Sequence, residues 1–279
     1  MNPPGDGNAD ILVQARAALL DALFALDEHR DAVIIIGAQA IYLRTSSAPV
    51  ALAEATKDSD LAVDPRELAD EPLLEEAMRR AGFIPDPVSA QPGAWINAAG
   101  VPVDLMVPEA LAGPGNKQTR GARIPPHNKR AARRARGLEA ALVDNSHMEV
   151  TALDSDDDRR YTVKVAGSAA LLVAKLHKIA ERVNSPNRLI DKDAHDIYRV
   201  LVDTDTADLA AAFARLRTDP ISAAQTEQAL VYLGELFADG PTALGAQMAG
   251  RAEAGIGEPE TVALQVSLLA ADLLEATQR

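Results

Sequence analysis

The residues that could do chemistry begin at Lys57-Asp58-Ser59-Asp60-Leu61-Ala62-Val63. The run from 58 to 63 alternates polar and apolar, which predicts a strand. Residues i and i+2 of a strand point to one side, so Asp58 and Asp60 project together. Two carboxylates that close repel unless a cation lies between them. Mg2+ or Mn2+ suits such a pair, because it prefers carboxylate and phosphate oxygens. A divalent ion held there could neutralise a departing pyrophosphate and activate an attacking hydroxyl. The same two residues could also be the polar face of an exposed strand.

Two neighbouring features favour the metal reading. Upstream, Ala32-Val33-Ile34-Ile35-Ile36 is a short apolar run closed by Gly37. Downstream, Val101-Pro102-Val103-Asp104-Leu105-Met106-Val107 sets one carboxylate in an apolar strand. A buried lone Asp is costly. Asp104 would be explained as a third metal ligand or a general base, or by a bond to backbone or Arg. Under the metal reading, the three carboxylates converge within one ion's reach.

The second half adds cations at helical spacing. Lys175 and Lys178 share a face that Arg182 continues. That face could bind phosphate or simply be solvated. Asp193 and Asp196 also share a face; one could orient Lys175 or contact the nucleotide, or both could form surface ion pairs. Asp191 reads as an N-cap. The five histidines form no ligand cluster, and His177 and His195 read as packing or surface residues.

Lys117, Arg120, Arg123, Lys129, Arg130, Arg133, Arg134 and Arg136 lie in a stretch without any acid, in a chain of net charge −13. Such local asymmetry points to a polyanion contact, here RNA, whose phosphates Lys and Arg would neutralise. No aromatics are interleaved, so backbone and shape recognition fits better than base stacking. The alternative is a basic loop docked on acidic surface.

The elements that must position these groups are legible by periodicity. Apolar residues at 11, 12, 15, 18, 19, 22, 23 and 26 predict a helix, with Asp10 as its N-cap. A buried strand at 32–36 and a short helix at 38–44 follow. Asp64-Pro65-Arg66-Glu67 reads as a helix start, restarting at 70–72 and closing near Gly82. Strands at 94–98 and 101–107 form a hairpin; 108–136 is a long loop or surface helix. A second hairpin, 148–153 with 161–165, turns at the acidic run 154–158. Helices then dominate, over 168–183, 188–202, 206–217, 221–238, 242–253 and 259–277. The predicted class is α+β: an N-terminal mixed-sheet domain over 1–165 with flanking helices, then a C-terminal helical bundle over 166–279.

Composition bounds the rest. The 279 residues include no cysteine, which excludes disulfides, thiolate metal sites and cysteine nucleophiles. The first ten residues are not apolar, so no signal peptide is read there. No apolar run approaches the roughly 20 residues that span a bilayer. A cytoplasmic protein without membrane contact is expected.

The pattern of apolar strand, small residues, Asp-x-Asp and a later strand Asp resembles the nucleotidyltransferase superfamily that includes DNA polymerase beta. The residues carrying it are Gly37-Ala38, Asp58, Asp60 and Asp104. A narrower resemblance is to the AbiEii and MenT-like toxin nucleotidyltransferases of bacterial toxin–antitoxin systems. It rests on Lys175-Leu176-His177-Lys178, Arg182, Lys192-Asp193-Ala194-His195-Asp196-Ile197, and on Thr56 two residues before the first metal Asp. The match covers roughly residues 30–200.

The resemblance implies a nucleotidyltransferase-type sheet domain and transfer of nucleotides from an NTP to the tRNA 3′ end, with pyrophosphate released and translation blocked. The metal ligands would be Asp58, Asp60 and Asp104. Lys175 and Asp193 would join the catalytic set. Gly37, Ala38, Thr56, Ser59, Lys178, Arg182 and Asp196 would contact the nucleotide. A cognate antitoxin is implied, with Thr56 a candidate for its phosphorylation. The sequence departs from the pattern at Ala38, where Gly or Ser is usual, and in the long interval from Gly37 to Asp58. A small-molecule nucleotidyltransferase of the aminoglycoside type, or a non-catalytic nucleotide-binding interaction module, would use the same residues. The oligomeric state is not specified by the sequence.

Overall fold

The computed structural model describes residues 6–46, 50, 56–116 and 118–278. The chain is α+β with a mixed central sheet. Contacts divide it into two units. One comprises residues 1–40, 55–138 and 145–166; the other comprises 41–54, 139–144 and 167–279.

The first unit carries the sheet. Its strands are β1 (Val33–Ile36), β2 (Ser59–Val63), β3 (Ile84–Pro85), β4 (Ala94–Ile96), β5 (Pro102–Pro108), β6 (Arg133–Ala135), β7 (Asn145–Thr151) and β8 (Arg160–Ala166). The order is β3-β4-β5-β2-β1-β8-β7, with β6 paired to β5. β1 runs antiparallel to β2 and parallel to β8, and β2 runs parallel to β5. β1 is buried along its whole length, as a continuous Val-Ile-Ile-Ile run demands of a central strand.

Helix α1 (Asp6–Ala25) lies against β2, β5 and β8. Its Ala15, Ala18, Leu19, Ala22 and Leu23 are buried at the spacing the sequence predicts. It starts at Asp6, so Asp10 lies inside the helix and is not its cap. Helix α2 (Gly37–Arg44) follows β1 directly. Helix α3 (Leu74–Arg80) begins later than Asp64. The helix start expected at 64–67 is a turn instead: Asp64 Oδ1 accepts the Arg66 backbone N–H at 3.0 Å and Oδ2 pairs with the Arg66 guanidinium at 2.6 Å, and no helix follows until Leu74.

Both predicted hairpins form, as β4 with β5 and β7 with β8. In the basic stretch, the three residues of β6 are paired with β5, where a loop or surface helix is expected. Trp95 is buried in β4, and its indole N–H donates to the Ala131 carbonyl at 3.0 Å, just before β6.

The second unit contains α4 (Ser168–Ala180), α5 (Asp191–Asp203), α6 (Thr206–Thr218), α7 (Ala223–Leu233), α8 (Leu244–Ala252) and α9 (Pro259–Ala276). A π-helical turn over Gly234–Ala238 continues α7. α5 packs on α4 and α8, and α9 on α6 and α8. Asp191 is the first residue of α5 and makes no capping bond; its carboxylate binds Arg251 at 2.6 Å. Among the described residues, no helix is long and apolar enough to cross a membrane.

Candidate functional site

In the first unit, register sets the candidate carboxylates side by side. Ile36 pairs with Asp60 across β1 and β2, and Asp60 pairs with Asp104 across β2 and β5. Cross-strand partners in register project from the same face. Asp60 and Asp104 therefore leave the sheet on one side, with Asp58 two residues before Asp60. Ser59 goes the other way. It is buried, and its hydroxyl donates to the Ala15 carbonyl of α1 at 3.0 Å. The nucleotide contact expected of Ser59 is replaced by this packing role, as strand alternation requires.

Gly37 stands beside Asp60. Its φ is +66°, a conformation that L side chains rarely adopt. A Cβ on Gly37 would lie 2.2 Å from Asp60 Oδ2. The missing side chain is thus the space the carboxylate occupies. Ala38, the next residue, is buried in the first turn of α2. Thr56 is also buried, and its hydroxyl donates to Asp58 Oδ1 at 2.5 Å.

Asp104 is not left to the other two acids. Arg133 Nη2 on β6 lies 2.8 Å from Asp104 Oδ2. The same guanidinium group reaches the Met106 sulfur at 3.3 Å. Burial pushes the Asp104 carboxyl above its ordinary 3.8; Arg133 pulls it down, while the charges of Asp58 and Asp86 add to the rise. Among the described residues, no three His, Asp or Glu side chains gather as a group that could hold a metal ion. Asp60 and Asp104 stand in register on one sheet face, and Arg133 supplies a positive charge to Asp104.

One or two carboxylates together with the phosphate oxygens of a substrate are the set by which Mg2+ is commonly held. The space that a Cβ on Gly37 would fill is taken by the Asp60 carboxylate, one of the oxygen donors such an ion would use. The residues that would hold Mg2+ are Asp58 and Asp60, with Asp104 available once Arg133 gives way.

In the second unit, Lys175 lies in a buried ionic network. Its Nζ is 2.7 Å from Asp193 Oδ1 and 2.6 Å from Asp196 Oδ2. Lys178 reaches the same Asp193 oxygen at 2.8 Å, and Arg182 is 3.6 Å from Asp193 Oδ2. Lys192 is 3.1 Å from Asp196 and sits 5.3 Å from the centre of the Tyr42 ring. Burial alone would lower the Lys175 ammonium; the two carboxylates outweigh it and hold its pKa well above 10.5. Burial likewise opposes ionisation of Asp193, but Lys175 and Lys178 hold it well below 3.8. Four cations thus surround two carboxylates, so the network carries an excess of positive charge.

His177 and His195 are both buried. His177 Nε2 lies 2.8 Å from the Gln225 carbonyl, and His195 Nε2 lies 2.7 Å from Glu253 Oε1. Both therefore pack within the helices.

The basic stretch divides by role. Lys117 lies outside the described residues. Arg120, Arg123, Lys129 and Arg130 are exposed, though Arg130 also donates to the Ala90 carbonyl at 2.9 Å. Arg134 donates to the carbonyls of Ala112 and Gly113, and Arg136 pairs with Glu109 at 2.8 Å. Arg133, Arg134 and Arg136 are thus committed inside the first unit. The sequence offered a bond to an Arg as one account of Asp104, without pointing to Arg133, and missed the place of Tyr42 and Lys192; the i, i+4 spacing of Lys192 and Asp196 was the one local signal for the latter.

Comparison of the chain with family models, with curated proteins and with solved structures gives no match.

Proposed function

We propose that the protein is a metal-dependent nucleotidyltransferase whose reaction centre is the acidic face of β2 and β5. The observation that carries this reading is the register of Asp60 with Asp104, together with Asp58 two residues upstream and the Gly37 cradle opposite. A divalent cation bound there would supply charge neutralisation for a triphosphate and lower the pKa of an acceptor hydroxyl. Asp58 and Asp60 would hold it. Asp104, half-buried and near two other acids, would accept a proton or complete the ligand set. The first-turn amides of α2 beyond Gly37 would meet phosphate oxygens, since Ala38 offers no hydroxyl.

The acceptor we propose is RNA, the tRNA 3′ end by the resemblance noted above, with exposed Arg120, Arg123, Lys129 and Arg130 on its phosphates. Growth arrest as the toxin of a toxin–antitoxin pair would follow. The Arg133–Asp104 ion pair favours a second reading, a nucleotide-binding or protein-interaction module without catalysis.

The test is incubation with each labelled NTP, Mg2+ or Mn2+, and total RNA. Label on tRNA, lost in Asp60→Asn, supports the proposal. Label only on an added small acceptor reassigns the substrate. No transfer in any arm leaves the non-catalytic reading.

A further inference from the structure

The backbone from which Arg133 reaches Asp104 is fixed by main-chain pairing. In β6 it pairs in register with Met106 of β5. The residue before it, Ala132, accepts the Ala122 N–H, and the residue after it, Arg134, donates to the Arg120 carbonyl, at 2.9 and 2.8 Å. On the same edge, Gly93 N–H donates to Arg130 and the Gly93 carbonyl accepts from Leu105 N–H, at 2.9 and 2.8 Å. A Cβ on Gly93, whose φ is +77°, would lie 2.3 Å from the Leu105 oxygen and 2.6 Å from the Arg133 nitrogen. Only a glycine lets the two strands close around that position, so the sequence is arranged to seat Arg133 there.

The chemistry of the seat is unusual for a surface arginine. Asp104 shares its sheet face with Asp60 and feels the charge of Asp58. Like charges so placed need a cation. A guanidinium group supplies one that never deprotonates. A divalent ion recruiting Asp104 has to compete with it.

We propose that Arg133 is the resident counter-ion of this carboxylate face, and that a divalent cation loads the site by displacing it from Asp104. Arg133 thus sets the metal concentration at which the site fills. This rests on the metal-site reading above. An adjacent opposite charge changes a carboxylate's proton affinity by about one to three orders of magnitude. Removal of the guanidinium charge is expected to tighten metal binding by at least about tenfold on the same grounds.

The experiment is titration of the full chain with Mn2+ alone, followed by the electron paramagnetic resonance signal of free Mn2+. Arg133→Gln should bind at least about tenfold more tightly than wild type. Arg133→Lys, which keeps the charge, should stay near wild type. Asp60→Asn should weaken binding. In the wild-type chain, Mg2+ should also move the side-chain N–H resonances of Arg133 and leave those of Arg136 in place. This second readout holds even where Arg133→Gln fails to fold. Equal or weaker binding by a folded Arg133→Gln, or metal binding without movement of the Arg133 resonances, overturns the counter-ion role and leaves the metal site intact. Failure of every variant to bind Mn2+ at millimolar concentration overturns both.

Discussion

Gly37 and Asp60 occupy the same small volume: the position of a Cβ on one is 2.2 Å from a carboxylate oxygen of the other. Gly37→Ala therefore meets two penalties, a positive φ and a collision. The backbone term alone is about 1–3 kcal/mol. Urea denaturation should show at least that loss. In the surviving folded fraction, Mn2+ affinity should fall, because Asp60 must move. A variant as stable as wild type would show that the cradle is not filled as described.

Asp60→Asn keeps the shape of the side chain and removes its charge. Under the proposed function, nucleotide transfer should drop by at least about a hundredfold, since a bound cation contributes several kcal/mol of charge stabilisation and each 1.36 kcal/mol is tenfold. Circular dichroism should remain that of wild type. Transfer at near wild-type rate would move the reaction centre elsewhere.

Lys175→Met leaves Asp193 and Asp196 buried with their central partner gone. Breaking a buried pair costs about 3–5 kcal/mol; Lys178, Arg182 and Lys192 remain, so the lower end is expected here. The double variant Lys175→Met with Asp193→Asn should recover part of the loss. A thermodynamic cycle by chemical denaturation measures this. Additive losses would mean that Lys175 and Asp193 do not act as a pair.

The same network predicts a pH dependence. Asp193 and Asp196 have carboxyl pKa values depressed below 3.8, so their contribution is present above that pH and is lost as pH falls toward the folded values. Lys175 is raised above 10.5, so its contribution is complete below that pH and declines as pH rises through the folded value. Unfolding free energy should fall below about pH 4, and Asp193→Asn should flatten that fall. An unchanged acid limb in the variant would assign the loss to other carboxylates.

His127 offers a second acid-sensitive point, in the first unit. Its Nδ1 accepts the Leu74 N–H at 3.2 Å, at the start of α3. Burial, then the neighbouring His29, lowers its pKa below 6.5. The bond is therefore intact above that value and lost as pH falls through the folded pKa, when Nδ1 becomes a donor. The protection factor of the Leu74 amide, its exchange rate relative to the intrinsic rate at each pH, should fall over that window. Constant protection down to pH 4 would place the proton elsewhere.

The long periodic segments were legible in the sequence. The α1 stripe, the Val-Ile-Ile-Ile strand and both hairpins carry enough repeats for burial to dictate their form. β6 was not legible, because Arg133-Arg134-Ala135 has no apolar alternation and is held by main-chain bonds to β5. Asp64 and Asp191 look like helix caps in sequence; Asp64 accepts the Arg66 backbone N–H but closes only a turn, and Asp191 pairs with the distant Arg251. The placement of Asp60 followed from period-two geometry. The pairing of Asp104 with Arg133 could not, since it joins residues 29 apart whose types fit a polyanion surface equally well.

The β2 strand has Ser59 tucked under α1 and Asp60 on the opposite side. Packing and reactivity are thereby locked to one another. A designer who inserts or deletes a single residue at the start of β2 would turn the acid inward and the hydroxyl outward, losing both properties at once. Changes of two residues would preserve the handed arrangement and slide it along β5. Tolerance to length variation at the start of β2 should therefore follow an odd–even rule.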